Sequence, residues 1–132
     1  MTSKHLISSG IVINADKNKI LLIRRKDKML GSAWSIPASH IEKGETPLAA
    51  LKRELREELK LEIIDFILLN IEEFSANEKT YVSFNFAVIT GENFQCNDSI
   101  EKARWFAYYE LEHIDHKVPV AGVEHFKHAY YK

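Results

Sequence analysis

Cysteine is almost missing from this chain: Cys96 is the single one among 132 residues. One cysteine rules out an intrachain disulfide and a cysteine-based zinc site. Glycine and proline are also scarce, at five and three, so loops are expected to be short and clearly punctuated. No apolar run approaches the roughly 18 residues of a membrane span. The N-terminal stretch Leu6-Ile7, Ser8-Ser9-Gly10, Ile11-Val12-Ile13 is too broken for a signal-peptide core. An excess of charge is lacking too. Eighteen basic and nineteen acidic residues leave a net charge of −1, which argues against a surface built to coat a nucleic-acid polymer. No glycine-rich turn joins a strand to a helix, so a dinucleotide or P-loop reading has nothing to rest on. The expectation is a soluble cytoplasmic protein without a membrane partner.

What is present is enough for a packed core. Apolar residues make up 45% and charged residues 28%, near the globular average. The length suits one domain, expected over residues 1–132. Leu6–Ile13 and Lys19–Arg25 read as two strands of a hairpin around the polar turn Asp16-Lys17-Asn18. Residues 26–33, with Gly31, read as a loop, Trp34–Pro37 as a short strand, and residues 38–46 as a further loop. Thr46 is an N-cap type and Pro47 suits the first helical position. Leu48, Leu51, Leu55 and Leu59 then form one apolar stripe on a helix of about 14 residues. Ile63–Phe74 and Thr80–Thr90 read as strands around a turn at Ser75–Lys79. A polar loop over 91–99 precedes a strand at Lys102–Ala107. Tyr109–Ile114 reads as a short helix, and Pro119 as the start of a terminal helix with Val120, Val123 and Phe126 inward. The order predicts an α/β (α+β) domain, a mixed sheet covered by helices.

The polar side of the central helix carries Arg53, Glu54, Glu57 and Glu58. Glu54, Glu57 and Glu58 stand at i, i+3 and i+4, a spacing that brings carboxylates towards one patch. Glu45 precedes the helix and is able to fold back on it. On an exposed face this is a solvated charge cluster, in which like-charge pairs cost only about 0.2–0.5 kcal/mol each. In a cleft it is a hard oxygen site suited to Mg²⁺ or Mn²⁺. Two carboxylates about 4 Å apart repel by roughly 4 kcal/mol at an effective dielectric near 20, so such a cluster needs a cation or a shifted pKa. The chemistry that goes with it is phosphoryl or pyrophosphoryl hydrolysis.

The run Ser39-x5-Glu45-x7-Arg53-Glu54-Leu55-x-Glu57-Glu58-x-Lys60-Leu61 resembles the Nudix box, G-x5-E-x7-R-E-U-x-E-E-x-G-U with U aliphatic. Seven of its nine specified positions match; at average residue usage, chance gives this in roughly one window in ten million. Trp34-Ser35-Ile36-Pro37, the strand ending at Arg25, and Arg104-Trp105-Phe106 with Glu110-Leu111 extend the likeness over about residues 6–112. The resemblance implies a Nudix-type α/β/α sandwich with a mixed central sheet and a loop–helix–loop catalytic motif. It implies Mg²⁺- or Mn²⁺-dependent hydrolysis of a nucleoside diphosphate linked to another group.

Carried over position by position, Glu54, Glu57 and Glu58 match the metal-holding carboxylates, one of which serves as base in some members. Arg53 matches the arginine that orients them, and Glu45 the loop–helix anchor. Ala38 stands where a backbone carbonyl is offered to metal. Glu101, with Asp98 as its competitor, stands near a further carboxylate. Arg25 matches a phosphate-contacting arginine; by period two, Arg24 faces the other side. A small nucleotide is the implied partner, with a homodimer by family habit. Among family activities, conversion of a nucleoside triphosphate to the monophosphate and pyrophosphate is favoured. Nucleotide-sugar hydrolysis is the nearest alternative.

Two departures bear on activity. Ser39 and Lys60 replace the two box glycines, and Ala38 replaces the glycine that commonly precedes the first. A non-glycine residue held at positive φ costs about 1–2 kcal/mol. These departures motivate a third reading, a weakly active or non-catalytic nucleotide-binding regulatory domain. Phe84, Phe86 and Tyr81 read as core aromatics rather than a base-stacking platform. His113/His116 and His125/His128 have i+3 spacing, but no carboxylate is identified to orient their rings, and they read as partly solvated. Cys96, in a polar loop without a base, does not read as a nucleophile.

Overall fold

Alternating apolar residues build the centre of the molecule. The computed structural model describes residues 4–27 and 33–131; Gly31 lies outside them. Strands β1 (Lys4–Asn14) and β2 (Lys19–Arg25) pair antiparallel, as their sequence patterns predict. Ile11, Ile13, Ile20 and Leu22 point to one side of the sheet, and Val12, Leu21 and Ile23 to the other. All seven are at most 2% exposed, which is why these strands read as apolar runs rather than half-polar ones.

The short strand lies at Ala38–His40 (β3), immediately after the Trp34–Pro37 segment expected to form it. Trp34 and Ser35 make only isolated bridges, with His116 and Ile23. β3 pairs with Ile7–Ser9 of β1. Ala38 and Ser39 are partly buried and His40 is exposed, so the pairing rests on backbone hydrogen bonds and leaves no alternation to read.

Helix α1 spans Pro47–Leu59. The Thr46 side chain accepts from the Ala49 N–H at 3.1 Å, and Pro47 opens the first turn. Leu51, Leu55 and Leu59 are fully buried against Val12, Leu21 and Ile23. Burying each of those leucines contributes about 1.5–3 kcal/mol. Gly10 admits this contact, since a Cβ there would stand 3.0 Å from Leu51 Cδ2.

β4 (Ile63–Ala76) and β5 (Lys79–Thr90) form a long hairpin. Its turn residues Asn77 and Glu78 both have positive φ, 51° and 64°, the signature of a type I′ turn. β5 pairs parallel with β1, and β6 (Ile100–Ala107) pairs antiparallel with β2. The sheet order is β4-β5-β1-β2-β6, with β3 attached to β1. This is the expected mixed sheet.

A 3-10 turn at Tyr108–His113 and helix α2 (Val120–Tyr130) cover the face opposite α1. The two cores therefore sandwich the sheet in an α/β/α arrangement. One expected core residue is misplaced: Val120 is 78% exposed. Val123 and Phe126 do face inward as expected, together with Gly122. Gly122 allows the closest approach, because a Cβ there would lie 2.3 Å from Ile11 Cδ1. Among the described residues no helix is long and apolar enough to cross a membrane.

Candidate active site

The sheet and α1 bring together two of the three helix carboxylates. Glu54 and Glu58 are both 8% exposed. Their common partner is Arg25, the last residue of β2. Its Nη1 donates to Glu58 Oε2 at 3.0 Å; its Nη2 donates to Glu58 Oε1 at 2.8 Å and Glu54 Oε1 at 3.1 Å. The same Nη2 donates to the Ala38 carbonyl at 3.3 Å. One guanidinium thus gathers two carboxylates and the backbone oxygen expected from the sequence.

Glu57 is not in this constellation. Its side chain is 60% exposed and lies 3.7 Å from Arg53 Nη1. Glu101 is exposed on β6, next to the Ile100 that pairs with Arg25. Among the described residues, no group of three or more His, Cys, Asp or Glu side chains is placed to hold a metal. The donor set consists of two carboxylates and a carbonyl.

Arg53 works on the outer side of the helix. Its Nε donates to Glu45 Oε2 at 2.8 Å and its Nη2 to Glu45 Oε1 at 3.1 Å. The Nη2 group also reaches the His40 carbonyl at 3.2 Å. Glu45 in turn accepts the Glu42 N–H at 2.8 Å. The loop before α1 is therefore pinned to the helix by a bidentate pair. Arg53 also lies 3.8 Å from Glu54. The Arg53 bond, followed by the Glu42 N–H, holds the Glu45 carboxyl below its usual range.

Burial pushes the Glu54 carboxyl up to about 7; its hydrogen bond with Glu58 and the Glu58 charge add to this, and Arg25 opposes it. Burial alone would lower the Arg25 pKa, but its bonds to Glu58 and Glu54 outweigh burial and raise it. The site thus contains adjacent buried carboxyls that one guanidinium does not fully compensate. Hard oxygen donors in that electrostatic state fit Mg²⁺ or Mn²⁺, and three protein donors leave positions for water and phosphate oxygens.

Several positioning residues carried no recognisable sequence signal. Ser8, fully buried, donates its hydroxyl to the Pro47 carbonyl at 2.8 Å and ties the start of α1 to β1. The backbone N–H groups of Gln95 and Asn97 bond the Leu59 and Glu58 carbonyls, so the polar 91–99 loop closes the other end. Beside Ala38, Ser9 and Ser83 donate to Asn85 Oδ1 at 2.6 and 2.7 Å, and Asn85 Nδ2 donates to Asn70 at 2.8 Å. On the far side of β2, Arg24 lies 4.3 Å over the Trp34 ring, a cation–π placement that agrees with its opposite facing to Arg25.

Comparison with known proteins bears on this arrangement. Residues 4–124 match the NUDIX domain family. An RNA pyrophosphohydrolase of Halorhodospira halophila is 42% identical over 60 residues, 46% of this chain and 32% of that protein. An 8-oxo-dGTP diphosphatase of Proteus vulgaris is 26% identical over 84 residues, 64% of this chain and 74% of that protein. A solved MutT structure, from a study of the Aliivibrio salmonicida and Vibrio cholerae proteins, shares the fold at TM-score 0.73 and 21% identity, covering 98% of each chain. The chain spans about a third of the first relatives it matches, 32% of the RNA pyrophosphohydrolase and 36% of a Pseudomonas aeruginosa NAD-capped RNA hydrolase. With its box, its sandwich and a family match over residues 4–124, this chain belongs to the Nudix family.

Proposed function

We propose that this domain is a metal-dependent hydrolase of phosphoric anhydride bonds, converting a nucleoside triphosphate to the monophosphate and pyrophosphate. The observation that carries this reading is the convergence of Glu54, Glu58 and the Ala38 carbonyl on one point at the mouth of the loop–helix motif. Mg²⁺ or Mn²⁺ held there would neutralise phosphate charge and acidify a bound water. The chain's own residues supply the rest. Arg25 carries a planar pair of donors suited to a phosphate. Arg53 and Glu45 hold the loop so that the Ala38 carbonyl keeps its direction. Glu57 and Glu101 have a lesser place in this reading, since neither joins the three oxygens.

The binding-only alternative rested on the replaced glycines. Ala38 and Ser39 lie in extended β3 and are not among the positive-φ residues, which removes its motive at that end. Lys60 takes φ 57° and caps the helix as a glycine would.

The test is hydrolysis of a panel with Mg²⁺: nucleoside triphosphates including an oxidised purine, nucleotide sugars, and RNA bearing a 5′-triphosphate. Glu58→Gln is expected to lower kcat by about 10²-fold or more, as expected for losing a group that stabilises the transition state. Glu57→Gln should cost less than tenfold. No turnover on any diphosphate compound, with nucleotide binding retained, overturns the enzyme reading. Full activity in Glu58→Gln overturns the site.

A further inference from the structure

Arg25 binds the very oxygens that a divalent cation would need. Its two terminal nitrogens make contacts of 2.8–3.3 Å to Glu54, Glu58 and the Ala38 carbonyl. It is the last residue of β2, so its backbone is fixed by pairing with Ile100 while its long side chain is free to turn. The side chain of Arg25 is 24% exposed, against 10% and 11% for Glu54 and Glu58, so a path towards solvent is open on its side.

A guanidinium and a divalent cation compete at these donors. Both are positive and would repel at this range, and the Ala38 carbonyl and Glu54 Oε1 that Arg25 occupies are among the oxygens the metal would take. The sequence pattern assigned Arg25 to the substrate. The structure places it on the metal ligands, and the two placements need not conflict if they are successive.

We propose that Arg25 is an exchangeable internal cation that competes with metal for Glu54, Glu58 and the Ala38 carbonyl. Metal loading displaces it towards the substrate phosphates. The proposal rests on the metal-site reading given above. Arg25 is then a positioning residue for the carboxylates before metal arrives. Afterwards it becomes a phosphate-binding residue, and its planar pair of donors suits the oxygens of one phosphate group. Binding is ordered as a result: metal first, substrate second. The competition also sets the metal affinity below what the bare donors would give.

This makes a prediction opposite in sign to that of a purely structural arginine. If Arg25 merely holds the carboxylates in place, its loss loosens the site and weakens metal binding. If it competes, its loss strengthens binding. Mg²⁺ affinity is measured by titration calorimetry on wild type, Arg25→Ala and Arg25→Lys at pH 8.5, where protonation of the carboxyls does not mask the result. Arg25→Ala is expected to bind at least tenfold more tightly than wild type. Arg25→Lys, which keeps the charge but not the fork, should fall between. Arg25→Ala should also raise KM for the nucleotide despite its tighter metal binding. In wild type, the Arg25 side-chain Nε–H resonance should shift as Mg²⁺ is added, a measurement that does not depend on any variant folding.

Equal or weaker metal binding by Arg25→Ala, or an Arg25 resonance that stays still while metal binds, overturns the competition. Glu58→Gln separates the two levels. If it abolishes Mg²⁺ binding and Arg25→Ala is still no tighter, only the competition fails. If Mg²⁺ binding survives Glu58→Gln, or wild type binds none, the metal-site reading fails and this inference goes with it.

Discussion

Glu54 makes the folded protein sensitive to pH in a direction opposite to that of an ordinary paired carboxylate. Its carboxyl is raised from 4.5 to about 7, with burial as the first cause and Glu58 as the second. The native state therefore binds this proton more tightly than the unfolded chain does. Stability is greatest at low pH and falls as pH rises through the folded value. A group moved from 4.5 to about 7 contributes about 2–3 kcal/mol at pH 5 and almost nothing at pH 8. Most of that loss falls between pH 5 and 7. Urea unfolding in the presence of a chelator at pH 5, 6, 7 and 8 measures it, with Glu54→Gln as reference because glutamine imitates the protonated form. His125 works the other way, its pKa lowered by burial and by the neighbouring His128 charge. Its contribution rises with pH, so only the difference between wild type and Glu54→Gln reports Glu54. That difference is expected to move by about 2–3 kcal/mol against wild type from pH 5 to pH 8. Parallel curves would refute the argument, and a wild type that gains on the variant with pH would show that Arg25 outweighs burial and Glu58.

Four substitutions at three positions test the scaffold around the site. Lys60→Gly should raise unfolding stability by about 0.5–1 kcal/mol, because Lys60 sits at φ 57° where glycine is unstrained; denaturant midpoints at unchanged m-value check this. Arg53→Ala should lower the denaturant midpoint modestly, because it removes the bidentate pair with Glu45 and the bond to the His40 carbonyl at a partly exposed position. Arg53→Lys should recover less than half of that, since a single ammonium cannot repeat the bidentate geometry. Gly122→Ala should cost about 1–3 kcal/mol, because its methyl would strike Ile11 Cδ1 at 2.3 Å in a closed core; a thermal shift of several degrees downward is the readout.

The elements that were legible in the sequence are those whose residues repeat with a single period. β1, β2 and the Leu48–Leu59 stripe bury whole sets of side chains, so hydrophobic pattern and structure coincide. β3 was not legible because its stabilisation lies in backbone bonds to Ile7–Ser9. Ser8, Gln95 and Asn97 hold the ends of α1 through single hydrogen bonds, and a lone polar residue carries no period. Glu57 is different, because its placement was calculable. At about 100° per residue, Glu58 stands about 60° from the middle of the leucine stripe and Glu54 about 100°, while Glu57 stands about 160° away. Spacing among the three glutamates said that they were neighbours; only their angle to Leu51, Leu55 and Leu59 says which two are drawn under the sheet edge.

The same angular argument explains why the two arginines divide their work. Arg53 also lies about 160° from the stripe, on the flank next to Glu57, and hydrogen-bonds the loop while standing 3.7–3.8 Å from Glu57 and Glu54. Its salt bridges to Glu45 and Glu57 are accordingly partly exposed ones, useful for loop geometry and weak as charge compensation. The compensation for Glu54 and Glu58 has to come from the sheet, and β2 supplies it because Arg25 shares the inward parity of Leu21 and Ile23. Shifting β2 by one residue against its neighbours would present Arg24 to the carboxylates and turn Arg25 towards Trp34. The buried carboxylates therefore depend on strand register as much as on the helix motif that contains them. A one-residue deletion in the Asp16–Asn18 turn that forces such a slip should turn Leu21 and Ile23 away from α1 and lower the denaturant midpoint, whereas a change there that preserves register should leave the midpoint nearly unchanged.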